Sequence, residues 1–245
     1  MIQLKNITIK SKEKTLIDQF SIKFNKGEIW AILGKNGVGK TTLLHTIAGF
    51  NTNYNGCVLI DNVELKTINV LNRAQMLALL PQKIEANLDC TVRQSISYAR
   101  YPWHEGNNKT KIESEIIEDA MSIMALEDLK DKSIHHISGG ELQRVEISTV
   151  LAQDSDILLF DEPFNHLDIV FRFQLMEYLQ NISPTKTIII STHDIQYIQD
   201  YCSHVLMIID SSHVLSGTLS EVLTHQNLTQ MLGKQVADKI LNIIL

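Results

Sequence analysis

Cysteine is scarce: the chain of 245 residues has three, Cys57, Cys90 and Cys202. They are far apart and odd in number, so they offer neither a disulfide framework nor metal-ligand spacing. Reduced thiols in a cytosolic protein are expected. Long apolar runs are missing too. No stretch approaches the roughly 18 apolar residues that span a bilayer, and the N-terminal "MIQLKNITIK" alternates apolar and polar residues where a secretory signal would have an apolar core. The chain is expected to be soluble by itself, so work at a membrane would need another chain to supply the span. Excess positive charge is absent as well. A formal net charge of −6 gives no overall basic field, and no nucleic-acid partner is expected. No low-complexity linker or internal repeat divides the chain. What remains is 44% hydrophobic and 20% charged, ordinary for a soluble globular protein with a substantial core.

The pattern then changes along the chain. Ile2, Leu4, Ile7 and Ile9 suggest a strand pair or a bulged strand, and "FSIKF" sets Phe20, Ile22 and Phe24 on one face. "EIWAILG" is a nearly continuous apolar run, as expected of a strand buried on both faces. A helix should follow over about 40–48, then a short strand pair around "CVLIDNVEL" turning at Asp61-Asn62. From about 91 to 129 the pattern is helical. Thr91 can N-cap "VRQSISYAR", Pro102 breaks it, and "KIESEIIEDAMSIMAL" places Ile112, Ile116, Met121 and Met124 at apolar positions. Residues 84–135 therefore look like a helical insertion, with "HEGNNKT" (104–110) as its exposed loop. Buried strands "DILLFDEP" and "TIIIST" follow, with helices over about 169–180 and 195–201. A closing hairpin turns at "SS", and "SEVLTHQNLTQML" supplies two short helices. One α/β domain with a helical insertion is the result.

Two stretches carry chemistry. "GKNGVGKT" (34–41) fits G-x-x-x-x-G-K-[ST] between a strand and a helix, the setting that a phosphate-binding loop requires. Gly34, Gly37 and Gly39 let the backbone turn its N–H groups toward phosphate oxygens. Lys40 would place a cation on the β- and γ-phosphates, Thr41 would offer a hydroxyl to Mg²⁺, and the helix start would favour the same anion. Asp161 ends the apolar strand "ILLFD", where it can reach Mg²⁺. Glu162 follows at once, placed to polarise an attacking water. An acid beside the Mg²⁺ aspartate favours water over a second substrate, hence hydrolysis over phosphoryl transfer. A third stretch, "HHISGGELQRVEIS" (135–148), looks like a second anion seat, because Ser138 and glycines precede a helix. His135 and His136 beside it lack the i, i+4 helical spacing of metal ligands and are read as a solvated loop.

Together these residues resemble the ATP-binding cassette (ABC) ATPases over nearly the whole chain. "GKNGVGKT" matches their phosphate loop, Gln82 in "LLPQ" their Q-loop glutamine, "ISGGELQR" their signature and "ILLFDEP" their second nucleotide motif. "NHLD" (165–168) looks like the D-loop, and His193 in "STHD" like the switch histidine that contacts the γ-phosphate. The resemblance implies a P-loop NTPase core with a mixed sheet, an N-terminal antiparallel β subdomain, and an inserted α-helical subdomain over about 84–135 that extends into the signature helix to about 153. It implies ATP and Mg²⁺ as cofactors and a head-to-tail pair in which Ser138, Gly139 and Gly140 of one copy complete the other's site. The ATP-binding set is then Gly34, Lys35, Asn36, Gly37, Val38, Gly39, Lys40, Thr41 and Thr42 with those three, Glu141 and Asp168. Glu162, His193 and Gln82 are the expected catalytic residues, and Thr41, Gln82 and Asp161 the expected metal ligands.

A finer similarity concerns "TVRQSISYARYPWHEG" (91–106), which is similar to a segment of ATPases that power iron–siderophore, haem and cobalamin importers. It implies membrane permease partners, a periplasmic or lipoprotein cargo-binding protein acting indirectly, and a peripheral place on the cytoplasmic face of the membrane. An exporter, or an importer of other cargo, would share the same engine. A soluble ABC protein acting on ribosomes or DNA usually has two cassettes or a long coiled-coil insertion, and this chain has neither. It also departs from the family pattern. No aromatic precedes Phe20, so the side chain that usually stacks on adenine is missing, with Lys10 or Ser11 near that place. Glu141 stands for the usual signature glutamine, Ile137 for leucine, and Phe164 for the threonine common after Glu-Pro.

Overall fold

The computed structural model describes residues 1–11, 14–82, 89–103 and 111–244, and places them in two sheets and ten α-helices. The first sheet is antiparallel, in the order β2-β1-β4-β5, from β1 (Ile2–Ser11), β2 (Lys14–Phe24), β4 (Tyr54–Ile60) and β5 (Val63–Glu64). Strand β1 is bulged, with a register shift between Leu4 and Ile7 against β2 and one between Lys5 and Thr8 against β4. The β4–β5 turn at Asp61-Asn62 puts both residues at positive φ, 48° and 68°, as a tight hairpin turn requires.

The second sheet has six strands, ordered β10-β9-β3-β8-β7-β6: β3 (Ile29–Gly34), β6 (Leu77–Leu80), β7 (Ile157–Asp161), β8 (Thr187–Ser191), β9 (His204–Ile208) and β10 (Val214–Thr218). All its neighbours are parallel except the β9–β10 hairpin, so the sheet is mixed. The apolar runs of β3, β7 and β8 are buried on both faces, and their alternate residues enter two separate cores. Trp30, Ile32, Leu159 and Ile189 join the antiparallel sheet and Leu43, Leu44 and Ile47 of α1 (Lys40–Ile47) in one core. Ala31, Leu33, Phe160 and Ile190 join the helical side in the other.

That helical side contains α3 (Val92–Tyr98), α4 (Lys111–Ile123), α5 (Gly139–Ala152), α6 (Ile169–Ile182) and α7 (Ile195–Tyr201). Thr91 caps α3 through a reciprocal capping box with Gln94. The buried face of α4 differs from the expectation. Ile112 is 67% exposed, whereas Glu113, Ile117, Ala120 and Met121 are buried. At 100° per residue, Ile112 and Met121 lie on opposite sides of a helix, so the expected set could not form one stripe. The structure also has two elements that the sequence reading leaves out, α2 (Val70–Met76), capped by Asn69, and β6 directly after it. Beyond the two expected C-terminal helices, α8 (Leu219–Val222) and α9 (His225–Leu232), there is α10 (Lys234–Ile244). The opening of the expected insertion (84–88) and the loop "HEGNNKT" lie outside the described residues.

Helix α5 also carries a titrating group. Burial pushes the carboxyl of Glu146, partly exposed, up from 4.5 to about 7. Because the folded value lies above the unfolded one, its contribution is full below about pH 4.5 and is lost as pH rises through about 7. Partial exposure discounts the effect to about 1 kcal/mol. Glu146→Gln is expected to raise the urea midpoint at pH 8 and leave it close to wild type at pH 5. Equal shifts at both pH values would show that Glu146 is not the source.

Candidate functional site

Parallel strands β3, β6, β7 and β8 end on one edge of the sheet, and the loops that leave them converge there. Loop 35–39 runs from β3 into α1. Gly37 and Gly39 take φ of 76° and 122°, a conformation that turns successive N–H groups to one side. Gly34 approaches its surroundings so closely that a Cβ would lie 2.7 Å from Ile208 O and from Val38 Cγ1. The N-cap of α1 is Gly39, with no side-chain cap, so the free N–H groups of the first turn face the same space and favour an anion. Val38 N–H donates to Lys35 O at 3.2 Å, which closes the loop, and Lys35 is exposed.

A cleft of about 540 Å³ opens beside this loop, lined by Ser11, Leu16, Asn36, Gly37, Gly39, Lys40, Thr41, Thr42, Gln82 and Glu162. Lys40 is 6% exposed. Its Nζ donates to Gly34 O at 2.8 Å and lies 3.7 Å from Glu162 Oε1. Glu162 itself is in the left-handed region at φ 53°, a sparsely populated conformation for a residue with a side chain. Its Oε2 is 2.8 Å from His193 Nδ1, and the His193 side chain is otherwise largely exposed.

Asp161 and Glu162 are positioned by one hydroxyl. The β7–β8 register sets Asp161 opposite Ser191. Ser191 Oγ donates to Asp161 Oδ1 and accepts from the Glu162 N–H at 3.0 Å. Among the described residues the other carboxylate oxygen, Asp161 Oδ2, is buried with no hydrogen-bond partner. An unpartnered buried carboxylate oxygen is costly, and a hard cation with oxygen ligands would satisfy it. Thr41 and Gln82 add neutral oxygen donors at the same cleft, so the residues present suit Mg²⁺.

The sequence-derived residues thus divide into two groups. Asn36, Gly37, Gly39, Lys40, Thr41, Thr42, Gln82 and Glu162 line one cleft, with Asp161 and His193 joined to it by hydrogen bonds. Gly34, Lys35 and Val38 shape the loop without lining the cleft, and among the described residues Ser138, Gly139, Gly140, Glu141 and Asp168 do not line it either. Ser138 caps α5, its Oγ accepting from Glu141 N–H at 3.3 Å while Glu141 Oε2 accepts from Ser138 N–H at 2.7 Å. That second bond, first among its causes, holds the Glu141 carboxyl below its usual range. Ser138 and Gly139 are exposed, and no atom would meet a Cβ on Gly139. Asp168 caps α6, accepting from Phe171 N–H at 3.1 Å. His135 and His136 are exposed in a short 3-10 turn, and no group of three potential metal-ligating side chains occurs among the described residues. The sequence reading misses Ser191 and Leu16. Ser191 is the first residue of the "STHD" motif that gave His193, so its signal was within reach.

Comparisons with known proteins bear on the family and the fold. The family described as "ABC transporter" matches residues 17–165. A petrobactin import ATP-binding protein of Bacillus subtilis is 30% identical over 225 residues, 91% of this chain and 89% of that protein. An iron(3+)-hydroxamate import ATP-binding protein of Bacillus subtilis is 28% identical over 222 residues, 89% of this chain and 82% of that protein. Among solved structures, a dimeric ATP-binding cassette in a post-hydrolysis state with ADP and Pi superposes with a TM-score of 0.78 at 24% identity, covering 89% of this chain and 99% of that one.

The Ser191 hydroxyl gives a direct test. Ser191→Ala would remove the one side-chain hydrogen-bond partner that the buried Asp161 carboxylate has among the described residues, at a cost of about 1–3 kcal/mol. The expected result is a lower urea midpoint with unchanged slope, and a smaller loss for Ser191→Thr. A wild-type midpoint for Ser191→Ala would show that the bond does not hold Asp161.

Proposed function

This chain belongs to the ABC transporter family, and from that membership we propose that it is the ATP-hydrolysing subunit of an importer for iron–siderophore, haem or cobalamin-like cargo, working as a head-to-tail pair. The observation that carries the reading is the division of the site: one cleft unites the phosphate loop, Glu162 and His193, while Ser138 and Gly139 are exposed at the start of another helix. An exposed, capped, glycine-rich helix start is suited to an anion held by a second molecule.

In this reading the phosphate loop and Lys40 bind and orient the triphosphate. Thr41, Asp161 and Gln82 would hold Mg²⁺, which supplies charge neutralisation at the phosphate oxygens. Glu162 accepts the proton of the attacking water, and His193, bonded to Glu162 Oε2, fixes the carboxylate and faces the γ-phosphate. Ser138, Gly139, Gly140 and Glu141 of a second copy, with its Asp168, close the site from the other side. ATP then draws two copies together, and product release lets them part.

Residues 84–153 are taken as the helical arm that meets the permease. Among the described residues no helix is long and apolar enough to cross a membrane, so the permease would supply the span and hold this chain on the cytoplasmic face. A periplasmic or lipoprotein binding protein would deliver the cargo. The cargo class is supported by the names of the relatives and by the "ARYPW" segment, in which the indole N–H of Trp103 donates to Gln153 O at 2.7 Å.

Glu162→Gln keeps the shape of the carboxylate and removes the base. ATP turnover should fall by about 10²-fold or more, with nucleotide affinity retained and a dimer visible by light scattering in ATP. Turnover within tenfold of wild type would take the base role from Glu162. Ser138→Arg in the Glu162→Gln background should abolish that dimer while each copy still binds nucleotide. A persisting dimer would overturn the shared site. Co-purification with ribosomes and not with membranes would overturn the importer reading.

A further inference from the structure

The segment that follows Glu162, residues 163–168, is gripped from two sides by side chains that touch no catalytic group. Helix α5 reaches it from one side. Gln143 Nε2 donates to Pro163 O at 3.1 Å, and Gly140 is so near that a Cβ would lie 3.0 Å from His166 O. Arg172 reaches it from the other. Its Nε donates to Leu167 O at 2.8 Å, and its Nη1 pairs with Asp194 Oδ2 at 3.3 Å. Asp194 is the neighbour of His193, and its own N–H donates to Thr192 Oγ1 at 3.0 Å. Phe171, beside Arg172, packs under the Arg144 guanidinium of α5 at 4.2 Å.

One planar group therefore spans the loop carrying His193 and the segment ending in Asp168. The fork of an arginine suits this task, since two N–H groups on a rigid plane fix two partners relative to each other, whereas a lysine can hold only one in that way. Both Arg172 and Asp194 are about one-third exposed, at 31% and 27% of their side chains. The link is therefore not sealed in the core and can be remade when a loop shifts.

We propose that Arg172 is a positioning residue that joins the His193 loop to the Asp168 segment, so that the state of this chain's own nucleotide site is passed to the surface offered to a second copy. The inference rests on the shared-site reading above. Arg172 is not among the residues lining the nucleotide cleft, and the His193–Glu162 contact is made without it, so nucleotide binding by one chain does not depend on it. What depends on it is concerted action: a displaced His193 loop pulls on Leu167, and through Pro163, His166 and Gln143 the start of α5 moves with it. Sites coupled in this way should turn over cooperatively.

The test compares wild type, Arg172→Met, which keeps the aliphatic stem and removes the fork, Arg172→Lys, and Asp194→Asn. ATP turnover is measured against ATP concentration, nucleotide binding with a fluorescent ATP analogue, and stability by thermal melting. For Arg172→Met the Hill coefficient should fall from above one to one and kcat by about tenfold, with affinity and melting temperature close to wild type. Arg172→Lys should fall between, and Asp194→Asn should reproduce the loss without adding to it in the double variant. Wild-type cooperativity in Arg172→Met, or additive losses in the double variant, would overturn the inference alone. A loss of kcat matched by losses of affinity and stability would reduce Arg172 to a structural role and overturn it too. A wild-type protein that stays monomeric in ATP and turns over without cooperativity would overturn the shared site first, and this link with it.

Discussion

The parallel pairing of β7 with β8 sets Asp161 opposite Ser191, and the geometry of the cleft follows from that register. A slip of one residue would move every side chain of β7 to the other face. In most sheets burial forbids such a slip, because one face is apolar and the other polar. Here both faces of β7 are apolar and buried, with Leu158 and Phe160 in one core and Ile157 and Leu159 in the other. Burial alone would tolerate the exchange, at the cost of fitting Phe160 where an aliphatic now packs. The polar end of the strand is more selective. Ser191 Oγ bridges Asp161 and the Glu162 N–H only in the observed register, and a slipped pair would leave a carboxylate buried without a partner.

The two cores then give the cleft a fixed floor and an independent wall. One face of the sheet packs α1 and the antiparallel sheet, so the phosphate loop and Leu16, 3.1 Å from a Cβ placed on Gly39, belong to that side. The other face packs α3 to α7, so α5 and residues 163–168 belong to the opposite side. Both meet at the ends of β3, β7 and β8, the edge where ligands bind in open α/β sheets. A movement of the helical side can therefore reach Glu162 and His193 without disturbing the glycine-rich loop 35–39, the proposed seat of the phosphates.

Much of this was legible in the sequence, because the informative signals are local. The phosphate loop, the acid pair after "ILLF" and the capping serine of α5 each depend on a few adjacent residues. Strands β3, β7 and β8 were legible from unbroken apolar runs. Where the reading fell short, the cause was phase or distance. The face of α4 was misjudged because Ile112 is apolar yet lies opposite Met121, and Ile116 only flanks the stripe set by Ile117, Ala120 and Met121. Helix α2 and strand β6 escaped because Met76 runs into Leu77 with no glycine or proline between them. Ser191, Arg172 and Gln143 act across 20 to 30 positions of sequence, through contacts that only the sheet register and helix packing create.

The missing aromatic before Phe20 can be weighed in the same terms. Stacking would contribute on the order of 1 kcal/mol, and the side chains that line this end of the cleft, Ser11 and Leu16, offer a hydroxyl and an aliphatic surface instead. At the other end are a buried lysine, an uncapped helix start and a carboxylate oxygen that lacks a protein partner. Charge-assisted bonds to phosphate outweigh a stacked ring several-fold when taken together. Selection in this cleft therefore acts on the number and charge of the phosphates more than on the identity of the base, and in the proposed pair of copies the γ-phosphate would be the group that decides whether the second copy can close.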